Sequence, residues 1–101
     1  MKKATKRESV LPKSVPFPTG PYRVIEVDDL LGSESEYGHW DYESRTIKVD
    51  GSMSDDVKFV TLYHEMAHAI LDEYAVRLPP KKEEAVCEAF GKYLFFYLHQ
   101  S

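Results

Sequence analysis

Cysteine is nearly absent: Cys87 is the only one in 101 residues. A lone thiol excludes an internal disulfide framework and a zinc knuckle built on several cysteines. No run approaches the ~18 consecutive apolar residues of a membrane-crossing helix, so no membrane partner is expected. The start, MKKATKRESVLPKS, lacks the apolar stretch of a secretory signal, and a cytoplasmic location is the expectation. Positive charge is scarce beyond residue 20. Residues 1–20 hold five basic side chains against Glu8, a balance of +4, whereas residues 21–101 hold 8 basic and 16 acidic ones, a balance of −8; together they give the −4 of the whole chain. A folded unit of that sign repels phosphate backbones, so nucleic acid is not an expected partner except through the basic start. A chain this short supports one core, since two would each be marginal.

The segment Ser14–Pro21 (SVPFPTGP) packs three prolines and a glycine into eight residues. It reads as a linker, so residues 1–21 are expected to form a basic, proline-rich, flexible arm ahead of a domain at 22–101. Tyr22–Val27 is rich in β-branched residues and reads as a strand. Asp28–Leu31 fits either a helical turn or a loop, and Gly32–Tyr37 is turn-like. In Gly38–Asp50 the alternation of Trp40 with Tyr42 and of Ile47 with Val49 predicts a hairpin connected through Glu43–Arg45. Ser54 is a good N-cap, with Asp55 and Asp56 in the first turn, where the helix dipole favours negative charge. The helix it opens is expected to present Val57, Val60, Met66, Ala67, Ile70, Leu71 and Tyr74 as apolar surface and to end near Arg77, before Pro79–Pro80. A second helix runs from Lys81 to about His99, with Val86, Ala89, Phe90, Tyr93 and Tyr97 in one stripe. The fold class is α+β: a small antiparallel sheet of about three strands on two helices.

The string His64-Glu65-Met66-Ala67-His68 carries the chemistry. Residues four apart share one face of a helix, so both imidazoles can reach one metal ion. Glu65 stands about 100° around the helix, where it touches water held at an open coordination position instead. That geometry makes H-E-x-x-H two zinc ligands plus a general base. A catalytic zinc takes a third protein ligand, and the downstream candidates are Glu84, Glu88 and His99, the last near a fraying end. Glu84 and Glu88 share a face of the second helix with Gly91, whose missing side chain allows close approach to the first helix. One carboxylate would bind the ion and the other would hold the spare ring N–H of a ligand histidine.

His64–His68 followed by Glu84-Ala85-Val86-Cys87-Glu88-Ala89-Phe90-Gly91 resembles the gluzincin metallopeptidase pattern of thermolysin-like enzymes. Over roughly residues 22–98 the length and the upstream strands resemble the compact ImmA/IrrE-like peptidases of bacteria, phages and mobile elements. The resemblance implies a minimal zincin-like fold, a Zn2+ cofactor, Glu84 as third ligand and Glu88 as partner of His64 or His68; the short gap from His68 to Glu84 leaves Glu88 as an alternative ligand. Ala67 stands where the family usually has glycine. The implied function is zinc-dependent hydrolysis of a peptide bond in a protein substrate, a regulator in a phage or mobile-element setting, with Glu65 as the catalytic base.

The competing reading is a non-catalytic zincin-like module that binds a partner through its basic arm and aromatic last helix. Candidate oxyanion donors are Tyr63, Tyr74, Tyr93 and His39. Thr46–Val49 could offer an open strand edge to an extended substrate. Trp40 and Phe59 read as core, and Cys87 as a small packed hydrophobe. The aromatic Phe95–Leu98 end of the last helix suggests a homodimer contact.

Overall fold

A computed structural model describes residues 9–28, 30 and 36–100. The chain is α+β, with strands β1 (Ser14–Val15), β2 (Tyr22–Val27), β3 (Gly38–Asp41) and β4 (Thr46–Asp50), then helices α1 (Asp55–Glu73) and α2 (Pro80–Leu98). The four strands form one sheet in the order β1-β2-β4-β3. The three expected strands are present, but the sheet is mixed. β3 and β4 form the antiparallel hairpin, with Trp40 opposite Ile47, whereas β2 runs parallel to β4, with Val24 opposite Ile47. Side-chain alternation is the same in either direction, so sequence pattern does not choose between them. Because β4 lies between β2 and β3, it offers no open edge; β3 is the edge strand beside the helices.

The proline-rich segment is packed, not a free linker, over its described part. Ser14–Val15 pairs antiparallel with β2 at the sheet's other edge, where proline neighbours are tolerated. Leu11, Val15 and Phe17 are buried with Tyr22, Ile47, Val49, Leu62, Tyr63 and Ala69 in a single cluster. Phe17 meets Tyr22 at 4.8 Å between ring centroids, and the Arg45 guanidinium lies 4.2 Å over the Tyr22 ring while donating to the Gly20 carbonyl. Glu73, at the end of α1, accepts from Thr19 N and Thr19 Oγ1 at 2.9 and 3.0 Å. Apolar anchors and this carboxylate clamp outweigh the cost of fixing the chain there. The start of the expected arm, residues 1–8, and most of the turn at Gly32–Tyr37 lie outside the described residues.

The helix α1 begins as its sequence requires: Ser54 accepts from Val57 N at 3.4 Å, with Asp55 and Asp56 in the first turn. It ends at Glu73, four residues before Arg77, in a Schellman arrangement in which Val76 N donates to Leu71 O and Ala75 N to Asp72 O. That closure places Ala75 at φ 58°, a left-handed conformation normally left to glycine. Pro80 occupies the first turn of α2, where its missing N–H costs nothing. A half-buried ion pair, Lys58 Nζ to Glu26 Oε1 at 2.8 Å, ties α1 to β2.

The buried sides of the two helices differ from the expected stripes. Of the expected α1 stripe Ala67 is buried and Met66 packs against the core, but Val57, Ile70 and Tyr74 are exposed, and the helix also buries Leu62, Tyr63 and Ala69. In α2 the expected stripe of Val86, Phe90, Tyr93 and Tyr97 faces outward; the packed side carries Cys87 and Gly91, with Leu94 and Phe95 against the core. The small residues win because they allow the helix backbones to meet. A Cβ on Gly91 would stand 3.0 Å from both His64 N and Val60 O. Trp40 and Phe59 are partly buried against the core cluster.

Candidate metal centre

Two helices supply the site. Four-residue spacing stacks His64 and His68 on the face of α1 turned to α2, and their side chains are mostly buried, 12% and 15% exposed. The antiparallel return of α2 sets Glu84 across from both. His64 Nε2 lies 2.9 Å from Glu84 Oε2, His68 Nε2 lies 3.1 Å from Glu84 Oε1, and the two Nε2 atoms are 3.2 Å apart. Behind the rings, His64 Nδ1 meets Glu88 Oε1 at 3.0 Å and His68 Nδ1 meets Glu83 Oε2 at 2.7 Å. Glu84 therefore lies against the Nε2 atoms of both rings, and Glu88 lies against Nδ1 of His64.

These contacts dictate the donor chemistry. A carboxylate only accepts, so each neutral ring donates its Nδ1–H to Glu88 or Glu83 and presents a bare Nε2 lone pair. Two such lone pairs and the Glu84 oxygens then point at one small space, an arrangement that repels itself unless a cation or added protons occupy it. The spacing suits a metal: two nitrogens bound to one tetrahedral zinc at ordinary bond lengths stand about 3.3 Å apart. His64, His68 and Glu84 thus fit a three-ligand centre, their donor atoms all within 4.8 Å of one another. The donor atoms of His68, Glu83 and Cys87 make a second such group, but its Nδ1–Glu83 contact is the one that orients the ring.

Glu83 is the site residue that sequence reasoning missed. It precedes Glu84 by one position, which sets it about 100° around the helix. The available signal was the antiparallel register: as His64 faces Glu88, His68 falls opposite residues 83 and 84.

Glu65 is buried, 9% exposed. Burial pushes its carboxyl above the usual range, and the nearby imidazoles of His64 and His68 pull it back only in part. It lines a cavity of about 720 Å³ together with His64, His68, Glu84 and Glu88. The strand β3 walls the same cavity through Gly38, His39 and Trp40. Gly38 permits this, because a Cβ there would meet Thr61 Cγ2 at 2.6 Å and Glu65 Cγ at 3.2 Å. Burial also raises Glu88, but Lys92, whose Nζ is 3.2 Å from Glu88 Oε2, and His64 outweigh it and hold the carboxyl below its usual range.

The remaining candidates separate cleanly. His99 is remote: its Nε2 meets the Tyr63 hydroxyl at 2.8 Å and its ring packs on Phe59 and Phe95. Tyr63 is thereby engaged elsewhere, and neither Tyr74 nor Tyr93 lines the cavity; of the four proposed oxyanion donors only His39 does. Cys87 is fully buried, and burial with the neighbouring Glu83 and Glu84 carboxylates pushes its thiol up to about 12, so it packs as a neutral side chain. Among the described residues no helix is long and apolar enough to cross a membrane. Comparisons with family models, with curated proteins and with solved structures return no match to this chain.

Proposed function

We propose that this chain is a zinc-dependent peptidase of minimal zincin-like design. One observation carries the reading: two imidazole Nε2 atoms, on rings each held from behind by a carboxylate, converge within 3.2 Å of each other and on Glu84. His64, His68 and Glu84 would hold the ion. When bound, zinc supplies Lewis acidity, which acidifies water toward neutral pH and polarises a carbonyl.

The chain's own residues do the rest. Glu83 and Glu88 fix the tautomer and orientation of the rings. Glu65, made more basic by burial, takes a proton from the attacking water and passes it to the amine nitrogen as the C–N bond breaks. The outer edge of β3 offers backbone N–H and C=O groups to an extended peptide laid along the cavity. His39, on that strand, is the one of the four oxyanion-donor candidates that lines the cavity. A purely structural site has no use for a buried base beside its ligands. The likeness to ImmA/IrrE-like peptidases adds the expectation that the substrate is a regulatory protein from a phage or mobile-element setting.

A second reading has its own support. The outward face of α2, with Tyr93 and Tyr97 stacked 6.2 Å apart, is apolar and uncovered among the described residues, as an interaction module or a homodimer would require. Glu65→Gln separates the two. A peptidase keeps stoichiometric zinc and loses turnover by at least about a hundredfold; a binding module has no turnover to lose and keeps its partner.

A further inference from the structure

The cavity has a charge that its chemistry alone does not require. Beyond the metal ligands and their partners it is lined by Glu36 and Asp56, with Trp40, Val57 and Val60 as the apolar wall. Among the described residues Lys92 is the only lysine or arginine on its surface, and Glu88 already engages it. His39 sits 3.5 Å from Glu36, leaving Asp56 on the opposite helix with no basic side chain among the lining residues. A divalent ion is offset by Glu84, Glu83 and Glu65, so the pocket stays negative when loaded. Residues 21–101 as a whole, the pocket included, sum to −8, so the charges outside the pocket do not reverse its sign.

We infer that the segment recognised here carries lysine or arginine close to the scissile bond; this rests on the peptidase reading above for the cleavage, but not for the recognition. A long basic side chain is the group that uses both halves of the wall. Its methylenes cover Val57 and Val60, its cation meets the Trp40 ring, and the charged head ends near the carboxylates. An acidic segment would instead enter against the field, at a cost that salt relieves.

The test uses short peptides identical except for Lys, norleucine or Glu on either side of a central apolar pair. Binding is measured on zinc-loaded Glu65→Gln protein through the fluorescence of Trp40, the chain's only tryptophan. Cleavage is measured on the zinc-loaded parent. The Lys peptide should bind at least about tenfold more tightly than the Glu peptide at low ionic strength, the gap narrowing severalfold toward 0.5 M salt as screening shortens to roughly 4 Å. Asp56→Lys should erase most of that preference. Equal or tighter binding of the Glu peptide at low salt overturns the inference. Cleavage without charge preference does the same and leaves the peptidase intact. Charge-selective binding with no cleavage of any peptide sinks the peptidase reading and keeps the recognition; neither binding nor cleavage sinks both.

Discussion

Replacing Gly91 by alanine asks directly how the two helices share the site. The new Cβ would lie 3.0 Å from His64 N and Val60 O and 3.2 Å from His64 Cα. All three are backbone atoms, so no side chain can swing aside, and the helices must separate by roughly half an ångström to restore ordinary contact. Overpacking of this kind costs about 1–3 kcal/mol. Alanine in mid-helix returns about 1 kcal/mol of propensity, so net destabilisation should be modest, about 0–2 kcal/mol. The larger effect falls on the metal. Glu84 and Glu88 ride on the displaced helix, while His64 and His68 stay with α1. Loosened ligand geometry should weaken zinc by about 10–100-fold, measured by competition with a chromophoric chelator, with urea unfolding of the zinc-free protein as control. Unchanged zinc affinity in a protein that also unfolds like the parent would refute the claim that close helix approach at Gly91 positions the ligands.

Three further outcomes are expected. Glu83→Ala should lower zinc affinity by about tenfold with Glu83→Asp recovering part of it, and Co2+ substitution should show an altered ligand-field spectrum; an unchanged spectrum removes Glu83 from the site. In the zinc-free protein Glu65→Gln should raise the melting temperature at neutral pH, since burial disfavours the ionised carboxyl. Because that carboxyl titrates higher in the fold, its penalty appears as pH rises through the normal carboxylate range, so the two proteins should converge in acid. Ala75→Gly should stabilise the fold by about 1 kcal/mol by relieving the left-handed residue at the end of α1, read as a shifted urea midpoint with unchanged slope.

How far sequence reached depended on whether the deciding physics was local. The start of α1 was readable because Ser54 and its two aspartates act within one turn. That Glu84 and Glu88 face the two histidines was readable because helical spacing and Gly91 together set one face of α2 against α1. The parallel pairing of β2 with β4 depends on β4 lying between β2 and β3 in the sheet, which no local pattern encodes. The stripe on α2 misled for a related reason: apolar residues surround that helix, and the buried side is chosen by two small residues, Cys87 and Gly91, not by the largest ones. Val15 and Phe17 were hidden among prolines that locally favour open chain, yet the core offered them burial.

Among the described residues the donor atoms that converge on the proposed ion come from one hairpin between His64 and Glu88. The sheet contributes no ligand, only the wall along which a substrate would lie. A cation would therefore act as a removable rivet through the hairpin, and chelation should loosen the seam between the helices while leaving the strands in register.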